Sequence, residues 1–146
     1  MKNKKEFLQI NTFNNLLNKI KMEDIKFTKD HYYIIIENDL ATVGLTDFVV
    51  DKIHEDVSLI ELPEVNSLYN KSDQIGSLFF GDDEIELYTP LSGEMAEVNE
   101  NLISEPDTIK NSTYENNWLF RIYTTDINEL NDAMSKDEYE EYLETL

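Results

Sequence analysis

The sequence has few of the residues that reactive or cross-linked sites require. Its 146 residues include no cysteine, two histidines and one tryptophan, with only four glycines and three prolines. The absence of cysteine excludes disulfides, thiol nucleophiles and thiolate metal sites, and a histidine-based zinc site would need carboxylates to complete it. No stretch approaches the roughly 18 uninterrupted apolar residues of a membrane span, and we recognise no signal peptide. We therefore expect no membrane span and a cytoplasmic location.

Basic residues are also scarce. Twelve lysine and arginine residues stand against 31 aspartate and glutamate residues, which gives a formal net charge of −19. Because such a polyanion repels phosphate backbones and anionic headgroups, we expect no nucleic-acid partner. Hydrophobic residues still make up 40% of the chain, which is enough for one packed domain.

The charge changes sign along the chain. Residues 1–29 hold seven lysines and three acids, a balance of +4, whereas residues 30–146 hold 28 acids and five bases, a balance of −23. Apolar residues at three- and four-residue spacing predict an amphipathic helix over 6–22. We therefore divide the chain into a helical extension, 1–25, and a domain, 26–146. The apolar positions of the predicted helix are Phe7, Ile10, Phe13, Leu16, Leu17 and Ile20.

The apolar stripe of this helix has several possible partners. It could dock on the acidic body or pair with a second copy, which would make the protein a homo-oligomer. It could also bind another protein or a membrane surface.

Beyond the basic segment, the apolar period changes to two, which is typical of strands. One predicted hairpin joins 32–36 to 40–45, and a second joins 74–80 to 84–88. Their predicted turns are Glu37-Asn38-Asp39 and Gly81-Asp82-Asp83.

Further strands are predicted at 57–62, 94–99 and 118–123. Thr46 or Asp47 is expected to cap a short helix through its side-chain oxygen. Ser135 and Glu138 have the spacing of a capping box at the start of a C-terminal helix. Short strands with frequent turns predict a mainly β fold, an antiparallel sandwich or barrel with small helices.

Six segments of the chain occur in the order and spacing of one known family. They are Thr28–His31, Glu37–Phe48, Glu61–Val65, Tyr88–Glu94, Val98–Leu102 and Tyr114–Ile122. With these segments the chain resembles the H protein of the glycine cleavage system over about residues 27–145. The resemblance implies a flattened barrel-sandwich hybrid related to lipoyl and biotinyl carrier domains. It also implies a carrier without catalytic residues of its own, not an enzyme.

The family resemblance draws attention to one hairpin position. Family members carry lipoate as an amide on a hairpin lysine, and this arm passes an aminomethyl group between the decarboxylase and the aminomethyltransferase. The dihydrolipoyl dehydrogenase then reoxidises the arm. Counting back eight positions from Pro90 places Asp82 at the lysine position and Phe79 at a family glutamate. Because a carboxylate cannot form this amide, we expect no cofactor on the chain and an unmodified Asp82.

Other departures from the family pattern fall near the same site. Tyr32 replaces the glutamate of a His-Glu-Trp motif, and Lys52 stands where a histidine often faces the arm. His31 is expected to pack at a strand start. Phe79 and Phe80 are neighbours in a strand, so we expect one in the core and the other exposed near the tip. The candidate partner-binding residues are Phe79, Phe80, Asp83, His31 and Lys52.

Three functions remain open from the sequence. The first is a non-lipoylated homologue that binds a glycine cleavage enzyme or a lipoate ligase or transferase. The second is a genuine lipoyl carrier. The third is a ligand- or cation-binding use of the acidic tip, since calcium prefers carboxylate oxygens, although such a tip is also typical of a solvated turn.

Overall fold

The computed structural model describes residues 25–111 and 114–146. The helix predicted over 6–22 lies outside these residues. The strands are β1 Lys26–Phe27, β2 Tyr32–Glu37, β3 Leu40–Leu45, β4 Val57–Glu61, β5 Leu68–Tyr69, β6 Gln74–Phe80, β7 Asp83–Tyr88, β8 Gly93–Val98 and β9 Trp118–Thr124. The α-helices are α1 Asp47–Val50, α2 Glu100–Ser104, α3 Tyr114–Asn117 and α4 Lys136–Glu144, and two 3₁₀ helices span Pro106–Lys110 and Ile127–Leu130.

Two antiparallel sheets make up the body of the fold. One has six strands in the order β1-β2-β3-β9-β8-β5, and the other has three in the order β4-β6-β7. The prediction of a mainly β fold with short helices is confirmed. In the described parts of the chain, no helix is long and apolar enough to cross a membrane.

The main core is formed by alternate residues of the two sheets. Ile34, Val43 and Phe120 of the larger sheet and Leu78 and Leu87 of the smaller sheet belong to one buried cluster. A second cluster lies on the opposite, outer face of the larger sheet, where helix α4 covers it. Its buried members are Ile25, Phe27, Tyr33, Ile35, Trp118 and Tyr139.

Both predicted hairpins are present, with small differences at their turns. The second turn contains only Gly81 and Asp82, because Asp83 already pairs with Phe80. Gly81 has a φ of +55°, a conformation that glycine adopts without the steric cost of a Cβ. The predicted capping box is confirmed, since Ser135 and Glu138 exchange both hydrogen bonds at the start of α4.

The expected side-chain cap of α1 is wrong. Thr46 lies at the N-cap position but makes no cap hydrogen bond. Its hydroxyl lies instead 2.8 Å from the Tyr139 hydroxyl, so a long-range contact replaces the local one. The two-residue strands β1 and β5 were not predicted from the sequence, because they are too short to show a period and form only by pairing with β2 and β8.

Candidate functional site

The β6–β7 turn places Asp82 at the position that the family resemblance singled out. Asp82 and Asp83 are both exposed. A Cβ built on Gly81 would lie 1.8 Å from Oε2 of Glu55, so the turn packs directly against the loop that follows α1. The two aspartates therefore project next to the Glu55 carboxylate.

Phe79 and Phe80 point to opposite faces of the three-stranded sheet. Phe80 packs against the main core, as expected for one of the pair. Phe79 lies opposite Leu59 of β4 on the outer face and is half-buried rather than exposed. The neighbouring strand therefore shields part of the ring and leaves the rest at the surface.

The remaining acids of the hairpin are engaged in hydrogen bonds. Glu84 accepts a hydrogen bond of 2.7 Å from the Ser77 hydroxyl, and Glu86 accepts one from the Tyr88 hydroxyl. Among the residues described, no group of three or more histidine, aspartate and glutamate side chains is arranged to hold a metal ion.

His31 joins the start of β2 to two other elements. Its backbone has a φ of +72°, and Nδ1 lies 2.8 Å from the Tyr139 hydroxyl oxygen. The His31 ring centroid lies 4.2 Å from that of Phe48, and Nζ of Lys52 lies 3.7 Å from the Phe48 ring centroid. Burial lowers the pKa of His31, and the Lys52 charge lowers it further, while Asp30 opposes this effect. The structure therefore brings His31 and Lys52 together through Phe48.

Tyr32, which the family resemblance sets at a glutamate position, has a buried ring. Its hydroxyl oxygen accepts a hydrogen bond of 2.8 Å from the Tyr88 backbone N–H. Burial is the main cause that raises the pKa of Tyr32 to about 12. The ring also lines a cavity of about 390 Å³, together with Lys71 and Glu129. This position therefore carries a neutral side chain at physiological pH.

The lysines nearest to the hairpin in sequence are already engaged elsewhere. Nζ of Lys71 donates a hydrogen bond of 3.3 Å to the Glu129 carbonyl. Nζ of Lys110 pairs with Asp107 at 3.1 Å. Residues 72–109, which include the whole hairpin, contain no lysine.

Three residues of this region were not selected from the sequence. Glu55 touches the turn only because of the tertiary fold, and no local pattern marks it. Phe48 appeared only as the last residue of a segment that carries the family resemblance, yet it stacks between His31 and Lys52. Tyr139 follows a recognisable capping box, but its distant partners could not be read from that motif.

Comparison with known proteins gives consistent matches over most of the chain. The family model described as "Glycine cleavage H-protein" matches residues 25–146. The glycine cleavage system H protein of Staphylococcus epidermidis is 36% identical over 120 residues, which cover 82% of this chain and 94% of that protein. The H protein of Halothermothrix orenii is 35% identical over 122 residues and covers 84% of this chain and 94% of its own length.

A solved structure has the same architecture. The crystal structure of a glycine cleavage system H protein from Mycobacterium marinum matches with a TM-score of 0.74 and 25% sequence identity. The match covers 83% of this chain and 97% of that one. The scaffold is therefore matched over nearly its full length.

These matches overturn the expectation that no cofactor belongs to this chain, because the cofactor of the matched family is lipoate. The hairpin itself does not fit the family's mode of attachment, since Asp82 has no amine to form the amide.

Proposed function

The chain belongs to the glycine cleavage H-protein family, and from this premise we propose that it acts by binding an enzyme of the glycine cleavage or lipoate-handling machinery. The proposed activity is binding to such an enzyme, and no catalytic reaction is proposed for this chain. The proposed surface is the β6–β7 turn with Phe79 and Asp83, extended by His31 and Lys52.

One observation carries this proposal. The family scaffold is matched along nearly its whole length, while the turn at its functional end presents two exposed carboxylates, Asp82 and Asp83. The carboxylate of Glu55 lies close to Gly81, so a third acidic side chain adjoins this turn. An enzyme that recognises the shape of an H protein would therefore contact a negatively charged turn on this scaffold. Charged groups at the rim of such a surface act mainly on association rate and partner choice.

The test is a direct binding measurement with the full chain. The immobilised protein is titrated separately with purified glycine decarboxylase, aminomethyltransferase, dihydrolipoyl dehydrogenase and lipoate ligase. We expect saturable binding to at least one of them, and competition by the Staphylococcus epidermidis H protein for the same enzyme. Absence of binding to all four would overturn the proposal.

Two charge reversals locate the surface. Asp83→Lys is expected to weaken binding about tenfold, which corresponds to roughly 1.4 kcal/mol. Glu140→Lys makes the same change of charge on the exposed part of α4 and serves as the matched control, with binding expected to be unchanged. Equal effects of the two variants would mean that overall charge, and not the turn, determines affinity.

A genuine lipoyl carrier is the alternative, and family membership favours it. It would need an amine at a place other than the turn. Intact-mass measurement after co-expression with a lipoate ligase and free lipoate detects a lipoyl-sized gain, and peptide mapping identifies the modified lysine. Such a gain would establish the carrier alternative, whereas an unchanged mass together with enzyme binding supports the docking proposal.

A further inference from the structure

Five side chains form a row across the outer face of the six-stranded sheet. Leu40 in β3 lies opposite Glu37 in β2 and Tyr123 in β9. Glu94 in β8 lies opposite Tyr123 on one side and Leu68 of β5 on the other. Since directly opposed residues of antiparallel strands point to the same face, the five lie side by side. We call Glu37, Leu40, Tyr123, Glu94 and Leu68 the edge row.

The edge row points away from the main core. Along their strands, Leu40, Tyr123 and Glu94 have neighbours that are completely buried in that core. These neighbours are Ala41, Ile122 and Met95. Successive side chains of a strand alternate between faces, so the edge row is on the opposite side. Leu68 is 76% exposed and Tyr123 is 47% exposed. Within the described residues, the row therefore presents three largely apolar side chains and two carboxylates on an outer surface.

The next row of the same face has its own internal partners. Nη1 of Arg121 lies 2.8 Å from Oε2 of Glu97, and its Nε donates to the Thr42 hydroxyl at 3.2 Å. With the residues that the structure describes, Glu37 and Glu94 form no ion pair. Within the described residues, Glu37 and Glu94 of the edge row are therefore carboxylates with which lysine side chains could pair.

The direction of β1 points from the described residues toward the edge row. Strand β1 is antiparallel to β2, with Phe27 opposite Tyr33 and Lys26 opposite Ile34. Followed toward the N-terminus, the chain therefore runs in the direction of Glu37, where the edge row begins. Ile25 is already buried in the outer-face cluster of this sheet. The described chain therefore begins on the outer face of this sheet, and the direction of β1 points toward the Glu37 end of the edge row.

The length and chemistry of this segment match the row. Five neighbouring strands span about 19 Å at roughly 4.8 Å per spacing. The apolar positions from Phe7 to Ile20 would extend about 20 Å along a helix at roughly 1.5 Å per residue. The same segment carries Lys19 and Lys21, whereas the row contributes two carboxylates.

We propose that the segment 6–22 docks on the edge row of its own chain. Its apolar stripe covers Leu40, Tyr123 and Leu68, and Lys19 and Lys21, at the end of the segment nearest β1, lie beside Glu37. The basic extension and the acidic domain are then two parts of one folded unit. This docking is independent of the β6–β7 turn and of the function proposed for it.

Zero-length crosslinking of the unmodified full chain tests the proposal. Carbodiimide joins lysine amines to carboxylates in contact, so mass spectrometry should find Lys19 or Lys21 joined to Glu37. Crosslinks that instead favour Glu84 and other acids of the three-stranded sheet, or no crosslinks from these lysines, would overturn it.

A mixture of ¹⁴N- and ¹⁵N-labelled chains identifies the source of the docked segment. Docking within one chain gives crosslinked peptides of a single isotope. Peptides that join a ¹⁴N half to a ¹⁵N half would show that a second copy occupies the row, which contradicts the proposal.

Hydrogen exchange gives an independent readout, because it does not depend on which lysine lies beside which carboxylate. In the full chain, we expect amides of 6–22 to exchange at least tenfold faster after Tyr123→Glu with Leu68→Glu. Ile103→Glu on α2 is the matched control, because Ile103 is also 47% exposed but lies outside the row. Equal exchange of 6–22 in the wild type and the double variant would refute docking at this place.

Discussion

Nδ1 of His31 lies 2.8 Å from the hydroxyl oxygen of Tyr139, 108 residues further along the chain. The same hydroxyl lies 2.8 Å from the Thr46 hydroxyl, and the Tyr139 ring stacks on Phe27 with 4.8 Å between ring centroids. One side chain of the C-terminal helix therefore ties together β1, the start of β2 and the start of α1. The candidate residue His31 is positioned by this contact.

Removal of the Tyr139 hydroxyl should destabilise the fold without disturbing its aromatic packing. Tyr139→Phe keeps the ring against Phe27 but leaves the polar groups of His31 and Thr46 without this partner. We expect the free energy of unfolding to fall by about 1–2 kcal/mol, measured by urea denaturation. Tyr142→Phe is the control, because the Tyr142 hydroxyl makes only a 3.5 Å exposed contact with the Lys29 carbonyl. Similar losses in the two variants would contradict the role given to Tyr139.

The lowered pKa of His31 predicts a loss of stability in mild acid. Burial, aided by the Lys52 charge, makes the folded protein bind a proton at His31 less readily than the unfolded chain. Below the unfolded pKa of about 6.5, the unfolded state therefore binds more protons. The free energy of unfolding should fall from that pH down to the folded-state pKa of His31 and then level off with respect to this group.

Comparison of variants isolates this contribution from that of the many carboxylates. His31→Asn should reduce the difference in the free energy of unfolding between pH 7.5 and pH 5, and asparagine tolerates the positive φ at this position. His54→Gln changes an exposed histidine and should retain the wild-type difference. An unchanged pH dependence in His31→Asn would show that another group is responsible.

The β6–β7 turn should be sensitive to its glycine. Gly81→Ala is expected to lower the free energy of unfolding by about 1 kcal/mol, because alanine at a φ of +55° is strained. Gly81→Asn should cost less, since asparagine accepts this conformation more readily. Adding Glu55→Ala to Gly81→Ala tests whether the carboxylate near the introduced Cβ matters as well. Full recovery in that double variant would mean that steric overlap, rather than backbone strain, causes the loss.

An amine placed at the turn should be a poor lipoylation substrate. In Asp82→Lys, Phe79 and Asp83 still differ from the family's turn, so we expect little modification after co-expression with lipoate ligase and free lipoate. Intact mass gives the modified fraction, and the Staphylococcus epidermidis H protein is the positive control. Efficient modification of Asp82→Lys would show that the lysine alone separates this turn from a lipoylated one.

Much of the architecture could be predicted because it depends on neighbours along the chain. Two apolar runs separated by turn residues predicted β2 and β3, and Gly81 predicted a turn because glycine tolerates a positive φ. The capping box of Ser135 and Glu138 is local in the same sense, since its hydrogen bonds join residues three positions apart.

The candidate site was only partly accessible from the sequence. Asp82 could be placed at the turn by counting within one hairpin, but Glu55 reaches that turn from another element. The half-burial of Phe79 depends on Leu59 of the adjacent strand β4, which no spacing in β6 reveals.

The sequence by itself determined the local elements, the excess of acidic residues and the absence of a lysine from the β6–β7 hairpin. The tertiary structure alone decided that the Thr46 hydroxyl turns from its own helix to Tyr139, and that Glu37, Leu40, Tyr123, Glu94 and Leu68 form one row. Local hydrogen bonds and periodicity follow from adjacent residues, whereas these contacts join distant residues and exist only once the sheets have paired.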